Sequence, residues 1–302
     1  MEPLGTMVEF IKRYGTEKAC HKALIANRWP DGFCCPKCGC GDGYWIKKRR
    51  SYECCDCGYQ ASATAGTVLH GTRTKIQKWF LAIYWMASTP KAPSASELCR
   101  QLGVTYKTAW TIRQKIVHAM SRRDGELMLC GLVEMDEAFV GGRERGTRGR
   151  QAGRKMIVAV SVDHTTKGGC RHAHLRMIPD ASSQSLTAVA KKNIAPDSAI
   201  LTDGWPGYNG LPDQGYHHHP WTLKTPEDAS KVLPWAHIVI SNFKRWALDS
   251  FHGVSPKHLQ AYLDEFCYRL NRRWQRTDLF RRVLNRCLHF TTPVTYRQLV
   301  AS

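Results

Sequence analysis

Two pairs of cysteines have the type and spacing to do chemistry. Cys35-Pro-Lys-Cys38-Gly and Cys54-Cys-Asp-Cys57-Gly each form a Cys-x-x-Cys-Gly knuckle. Two such knuckles bring four thiolates around a tetrahedral Zn²⁺, and the glycine closing each one lets backbone amides turn toward the sulfurs. Cys34, Cys40 and Cys55 lie beside the knuckles and could replace a ligand in another register. A module this short cannot bury an adequate core, so the metal is expected to be structural. Between the knuckles run Tyr44, Trp45, Lys47, Lys48, Arg49, Arg50 and Tyr52, a basic and aromatic stretch suited to a phosphate backbone.

The second constellation is acidic. Asp136 interrupts the mostly apolar strand pattern around Val133-Glu-Met-Asp136-Glu-Ala-Phe-Val, and Asp203 closes the apolar run Ala199-Ile-Leu-Thr. Each aspartate alone reads as a cap or turn residue. Together, at the ends of two buried strands, they carry a desolvation cost that pairing or a cation must relieve. Oxygen ligands suit Mg²⁺ or Mn²⁺. A pair of such ions supports in-line phosphoryl displacement by activating the nucleophile and steadying the leaving oxygen. His217-His-His219 lacks the spacing of a chelating face and reads as a solvated loop or a DNA contact.

The elements that must position these groups follow from periodicity. Val8 to Ala26 reads as one helix with Phe10, Ile11, Tyr14 and Leu24 inward. A helical region spans Lys75 to Ser121, broken at Thr89-Pro90-Lys91-Ala92-Pro93. Ser94 and Glu97 have capping-box spacing, and Gly103 separates two helices as in a helix-turn-helix. Tyr106, Lys107, Thr108, Arg113 and Lys115 would then be placed for groove and phosphate contacts. Strands are expected over 132–140, 156–163, 172–178 and 199–202, and helices over 185–193 and from Ser255-Pro256 onward. The Gly- and Arg-rich stretch 141–155, with Arg143, Arg145, Arg148 and Arg150, reads as a basic loop against DNA. The pattern is α/β around a mixed sheet. Its expected divisions are 1–70 (helix and cysteine module), 71–126 (helical, helix-turn-helix-like) and 127–302 (catalytic).

Composition agrees with a polyanionic partner. Across 302 residues, 44 Lys and Arg stand against 25 Asp and Glu, a formal charge of +19. Such an excess repels itself unless phosphates neutralise it. No signal segment is evident, and the longest apolar run, Trp79 to Ala87, is short of the roughly 20 residues of a membrane span. A cytoplasmic, nucleoid-associated protein is expected, and its 13 cysteines then suggest metal rather than disulfides.

The chain resembles bacterial insertion-sequence transposases with a zinc ribbon before a DDE-type, RNase H-like catalytic domain. The resemblance rests on Arg28-Trp-Pro-Asp-Gly, both knuckles, Ala65-Gly-Thr-Val with Thr72, Trp79 and Phe80, and Glu134-Met-Asp136-Glu with Gly141-Gly142. It continues through Thr202-Asp203-Gly-Trp-Pro-Gly-Tyr208, His237, Ser241-Asn242-Phe-Lys244-Arg-Trp246, Gly253-Val-Ser-Pro-Lys-His-Leu and Asn271-Arg-Arg273. It implies metal-dependent DNA end cleavage and strand transfer. It also implies double-stranded DNA partners (terminal repeats and target) and assembly as a homo-oligomer on DNA.

Where that family pattern has a third carboxylate, this chain offers Asn242 with Lys244, an Asp-Asp-Asn-Lys set. Asn242 would join Asp136 and Asp203 on magnesium, with Glu137 or Asp249 as compensating carboxylates and Lys244 on phosphate. His237 is a further site residue, and Glu265, on an apolar helix stripe, reads as structural. The competing readings are a zinc-ribbon, helix-turn-helix regulator with an inert catalytic domain, and an RNase H-type nuclease.

Overall fold

The computed structural model describes residues 6–89, 91–124, 126–141, 156–165, 167–221, 232–251, 254–275, 278–289 and 292–301. The chain divides into two compact units, Met1–Ala119 with Trp274–Ser302, and Met120–Arg273.

The first unit opens with α1 (Met7–Tyr14) and α2 (Glu17–Arg28) rather than one helix. Thr6 and Glu9 form a reciprocal capping box, and Thr16 accepts from the Ala19 amide to start α2 anew after Gly15. Ile11, expected inward, is exposed. A three-stranded antiparallel ribbon follows, with β1 (Gly43–Ile46), β2 (Ser51–Cys54) and β3 (Gln60–Ser62). Then come α3 (Ile76–Ser88), α4 (Ala95–Leu102) and α5 (Tyr106–Asp124), which runs across the division. Ser94 accepts from the Glu97 amide, and Gly103 takes the left-handed φ of 56° that ends α4.

Lys75 gives α3 no side-chain cap; instead both Glu17 carboxylate oxygens accept its first amides, from Ile76 and Gln77, at 2.9 Å each. Burial works to raise the Glu17 pKa, but these amides and the nearby His21 and Arg50 charges hold it below the ordinary value.

α9 (Leu279–His289) corrects the expected division 127–302. Its Phe280 ring packs on Phe10, Tyr14, Phe80 and Tyr84, and the Val68 amide donates to the Cys287 carbonyl at 3.0 Å. The buried stripe Phe280, Val283, Leu284, Cys287 and Leu288 thus completes the N-terminal core rather than the sheet's. A short α10 (Tyr296–Ala301) follows it.

The second unit is a mixed five-stranded sheet of order β6-β5-β4-β7-β8. The strands are β4 (Leu132–Val140), β5 (Met156–His164), β6 (Cys170–Ile178), β7 (Ala199–Thr202) and β8 (His217–Pro220). β4, β5 and β6 run antiparallel, whereas β7 pairs parallel with both β4 and β8. His217–His219 is therefore an edge strand, not a loop, and His218 Nε2 lies 2.9 Å from Thr202 Oγ1.

α6 (Ser183–Asn193) covers one face with Val133, Met135, Ile200 and Tyr208. α7 (Pro234–Phe251) and α8 (Leu259–Leu270) cover the other with Val158, Val160, Val162 and Leu175. Ser255 makes no cap, and a 3₁₀ turn, Pro256–His258, leads into α8. This is the RNase H-like arrangement, an antiparallel meander extended by parallel strands with helices on both faces.

Candidate active site and thiolate cluster

In the ribbon the knuckles converge. Cys35 Sγ lies 3.6 Å from Cys57 Sγ, and Cys38 Sγ lies 3.5 Å from Cys54 Sγ. All four sulfurs fall within 4.8 Å of one another. A zinc tetrahedron with bonds of about 2.3 Å has sulfur edges of about 3.8 Å, so the donors fit the ion. Gly39 and Gly58 donate to the Cys35 and Cys54 carbonyls at 2.9 and 3.1 Å. Their φ values of 80° and 62° are the left-handed turns that a side chain disfavours. Cys34, Cys40 and Cys55 stand outside this cluster.

The acidic pair is built by the sheet. The parallel register runs Leu132↔Ala199, Val133↔Ile200 and Glu134↔Leu201. Asp136 in β4 and Asp203, one residue past β7, both stand two residues beyond the last pair, and the Asp203 charge acts on Asp136. Alternation along β4 and β7 puts Glu134, Asp136 and Leu201 on the face that α7 covers. Asp136 is 15% exposed. Burial first, then the charges of Glu137 and Asp203, push its pKa up from 3.8 to about 7. Asp203 Oδ1 accepts the Trp205 amide at 3.0 Å, which fixes the turn leaving β7.

Glu137 faces the other way along β4. Its Oε2 accepts the hydroxyl of buried Tyr208 at 2.8 Å. Burial and the Glu137 and Asp136 charges raise the Tyr208 pKa, keeping the phenol a donor. That bond ties the Asp203 loop to β4 from behind.

Glu134, fully buried, holds α7. Its Oε1 lies 2.9 Å from His164 Nε2, and its Oε2 accepts the Ala236 amide at 2.7 Å. The next residue, His237, brings Nε2 to 3.8 Å from Asp136 Oδ2. Asn242 and Lys244 are exposed on α7. Glu265 is fully buried and paired with Arg269 at 3.1 Å, the structural role its helix stripe suggests. Asn271 grips β6 through the Ala173 amide and carbonyl, and Arg273 donates to the Arg171 carbonyl, so that motif anchors α8 rather than serving the site. The roles of Glu134 and Tyr208 escape sequence reading because both oppose partners that are remote in the chain.

Of the expected DNA contacts, Lys47, Lys48, Arg49 and Arg50 are exposed at the hairpin tip. Arg49 and Arg50 line a cleft of about 340 Å³ with Trp45, Arg73 and Lys75. Lys107 is exposed, its Nζ 4.4 Å above the Tyr296 ring. Arg113 and Lys115 are corrected: both are buried, donating to the carbonyls of Pro93 and Val68 at 3.0 and 3.1 Å. Their helix turns that face into the core. Arg143, Arg145, Arg148 and Arg150 lie outside the described residues. Among the described residues no helix is long and apolar enough to cross a membrane.

Ribbon and acidic sheet together define a zinc-ribbon protein with an RNase H-like domain. The family model for the ISXO2-like transposase domain matches residues 128–271, and that for the transposase zinc-ribbon domain matches residues 15–60. The chain belongs to these insertion-sequence transposases and is a DNA-cleaving enzyme whose partner is DNA. It is 29% identical over 283 residues to a protein of Halobacterium salinarum described as "Uncharacterized protein in transposable element ISH50", covering 85% of this chain and 91% of the relative.

Two solved structures are more distant. A pre-cleavage Mos1 transpososome chain is 14% identical at TM-score 0.28, over 70% of this chain and 74% of that one. A simian T-cell lymphotropic virus intasome chain is 13% identical at TM-score 0.30, over 69% and 71%. Superpositions this loose carry no inference about the present chain.

Proposed function

We propose that the transposase is metal-dependent, with Asp136 and Asp203 holding Mg²⁺ or Mn²⁺ and Cys35, Cys38, Cys54 and Cys57 holding a structural zinc. The single observation behind the first part is that Asp136 in β4 and Asp203 just past β7 leave neighbouring parallel strands close enough for the Asp203 charge to act on Asp136. Divalent ions there supply Lewis-acid stabilisation of the scissile phosphate and an activated oxygen nucleophile. The residues do the rest. The two carboxylates fix where the phosphate must sit, Tyr208 and Glu137 keep the Asp203 loop against β4, and Glu134 keeps α7 over the pair. Lys244, on the same helix, offers a point charge to a phosphate at the site. The exposed cations Lys47, Lys48 and Lys107 provide further phosphate contacts. An insertion element has two ends to process, so two copies are expected on DNA.

Asp136→Ala and Asp203→Ala are each expected to abolish cleavage and strand transfer on a pre-cut terminal substrate while leaving DNA retention intact. Wild-type-like strand transfer by either variant, in Mg²⁺ or Mn²⁺, overturns the assignment.

A further inference from the structure

The cleft of about 340 Å³ in the first unit lies between the β1–β2 hairpin, one face of α2 and the segment that leads into α3. The hairpin contributes Trp45, Arg49 and Arg50, and the segment contributes Arg73 and Lys75. Glu17 and His21 stand on the α2 side.

The charge of this cleft is open to a ligand. Glu17 is the one carboxylate lining it, and both its oxygens already accept the first amides of α3. Arg49 donates to Gln60 Oε1, and Arg50 NH1 lies 3.1 Å from His21 Nε2. These contacts hold two guanidinium groups in place. Arg73 and Lys75 are exposed, and among the described residues neither side chain has a partner. Arg50 also takes a left-handed φ of 49°. Glycine would close that turn without strain, so arginine there carries a backbone cost for the cation it places in the cleft.

Trp45 supplies an aromatic wall and is 38% exposed. Cations alone would suit a phosphate backbone lying on the surface. An indole at their side suits a base. Inside a duplex each base face is covered by its neighbours, so a base reaches an aromatic ring only after leaving the stack. The cleft is at the small end of those that enclose a small ligand. It has room for one nucleotide and none for a base pair with both strands.

We propose that this cleft seats one unpaired nucleotide of a DNA strand, with its base on Trp45 and its phosphate among Arg50, Arg73 and Lys75. This rests on DNA being the polyanion that the chain's cations neutralise. Such a nucleotide arises wherever cleavage or fraying leaves a single-stranded tail.

The test uses the full chain with its ribbon zinc-loaded. Fluorescence anisotropy gives the affinity for a blunt duplex and for the same duplex with a short single-stranded tail at its 3′ or its 5′ end. Wild type is expected to bind one tailed duplex about tenfold more tightly than the blunt one, the scale of stacking one base on an aromatic ring. A 2-aminopurine in that tail should be quenched on binding, and one within the duplex should not. Trp45→Ala should bring the two affinities within about twofold of each other, whereas Trp45→Phe should keep most of the preference. Arg73→Gln combined with Lys75→Gln should weaken tailed-duplex binding and flatten its salt dependence. Equal affinity of wild type for tailed and blunt duplexes overturns the inference, and that measurement needs no variant to fold. A preference that survives intact in Trp45→Ala also overturns it. Tight binding of deoxyadenosine monophosphate in place of any tail preference makes the cleft a free-nucleotide site, which overturns it too. If neither duplex is retained, the DNA reading itself fails, a separate result.

Discussion

The thiolate cluster and the acidic pair gather ligands of like charge by opposite means. In the ribbon, four donors come from two turns closed by Gly39 and Gly58, and the metal must supply much of the order of a short three-stranded sheet. In the catalytic unit, Asp136 and Asp203 are held by strands already paired and buried, so the scaffold stands before any ion arrives. On the proposed reading the ribbon uses a metal to fold, whereas the sheet uses its folding energy to keep two carboxylates close. Removing metal should therefore damage the structure of the first region and leave that of the second standing.

The largest effect that comparison predicts is in the ribbon. Cys54→Ser should release the zinc and unfold the ribbon, forfeiting on the order of 10 kcal/mol of metal-linked folding energy. The sheet's own melting should survive. Metal analysis and thermal unfolding check both, and full zinc occupancy in the variant breaks the contrast.

Next comes a buried pair that resembles a ligand in chemistry only. Glu265→Ala removes the buried carboxylate paired with Arg269, whose side chain is 11% exposed, and should cost about 3 kcal/mol in denaturant unfolding. Mn²⁺ affinity should not change. A loss of affinity without a loss of stability would make Glu265 a ligand.

A pH dependence follows for the metal-free protein. The folded pKa of Asp136, about 7, is raised above its ordinary 3.8, so the folded state holds a proton the unfolded state has lost. Its contribution to stability should fall as pH rises from about 4 to about 7 and stay flat above, by proton linkage. Asp136→Asn should flatten that slope, and Mg²⁺ should restore stability at the high end. Unfolding curves at several pH values decide it, and an identical slope in the variant would show the carboxyl is not strained.

The smallest effect concerns DNA. Neutralising Arg49, Arg50, Arg73 and Lys75 together should lower the salt slope of binding by about 0.9 for each phosphate that these cations neutralise. An unchanged slope removes the cleft from the interface.

The sequence by itself determined whatever is local. The knuckles, the Ser94 cap, the Gly103 turn and the strands around both aspartates are spelled in short windows, because a turn or an alternating stripe needs only neighbours. It misjudged a helix break at Gly15-Thr16, where two threonine caps outweigh a continuous apolar pattern. Only the tertiary structure decided which faces meet. Arg113 and Lys115 look like groove contacts until their helix turns them into the core, and α9 belongs with Phe10 and Phe80 because Phe280 completes their cluster. The rotation of α7, set by five buried residues and the Glu134 clamp, brings His237 Nε2 to 3.8 Å from Asp136 Oδ2. A helix position is chosen by packing against residues far away in the chain, and no local spacing encodes that.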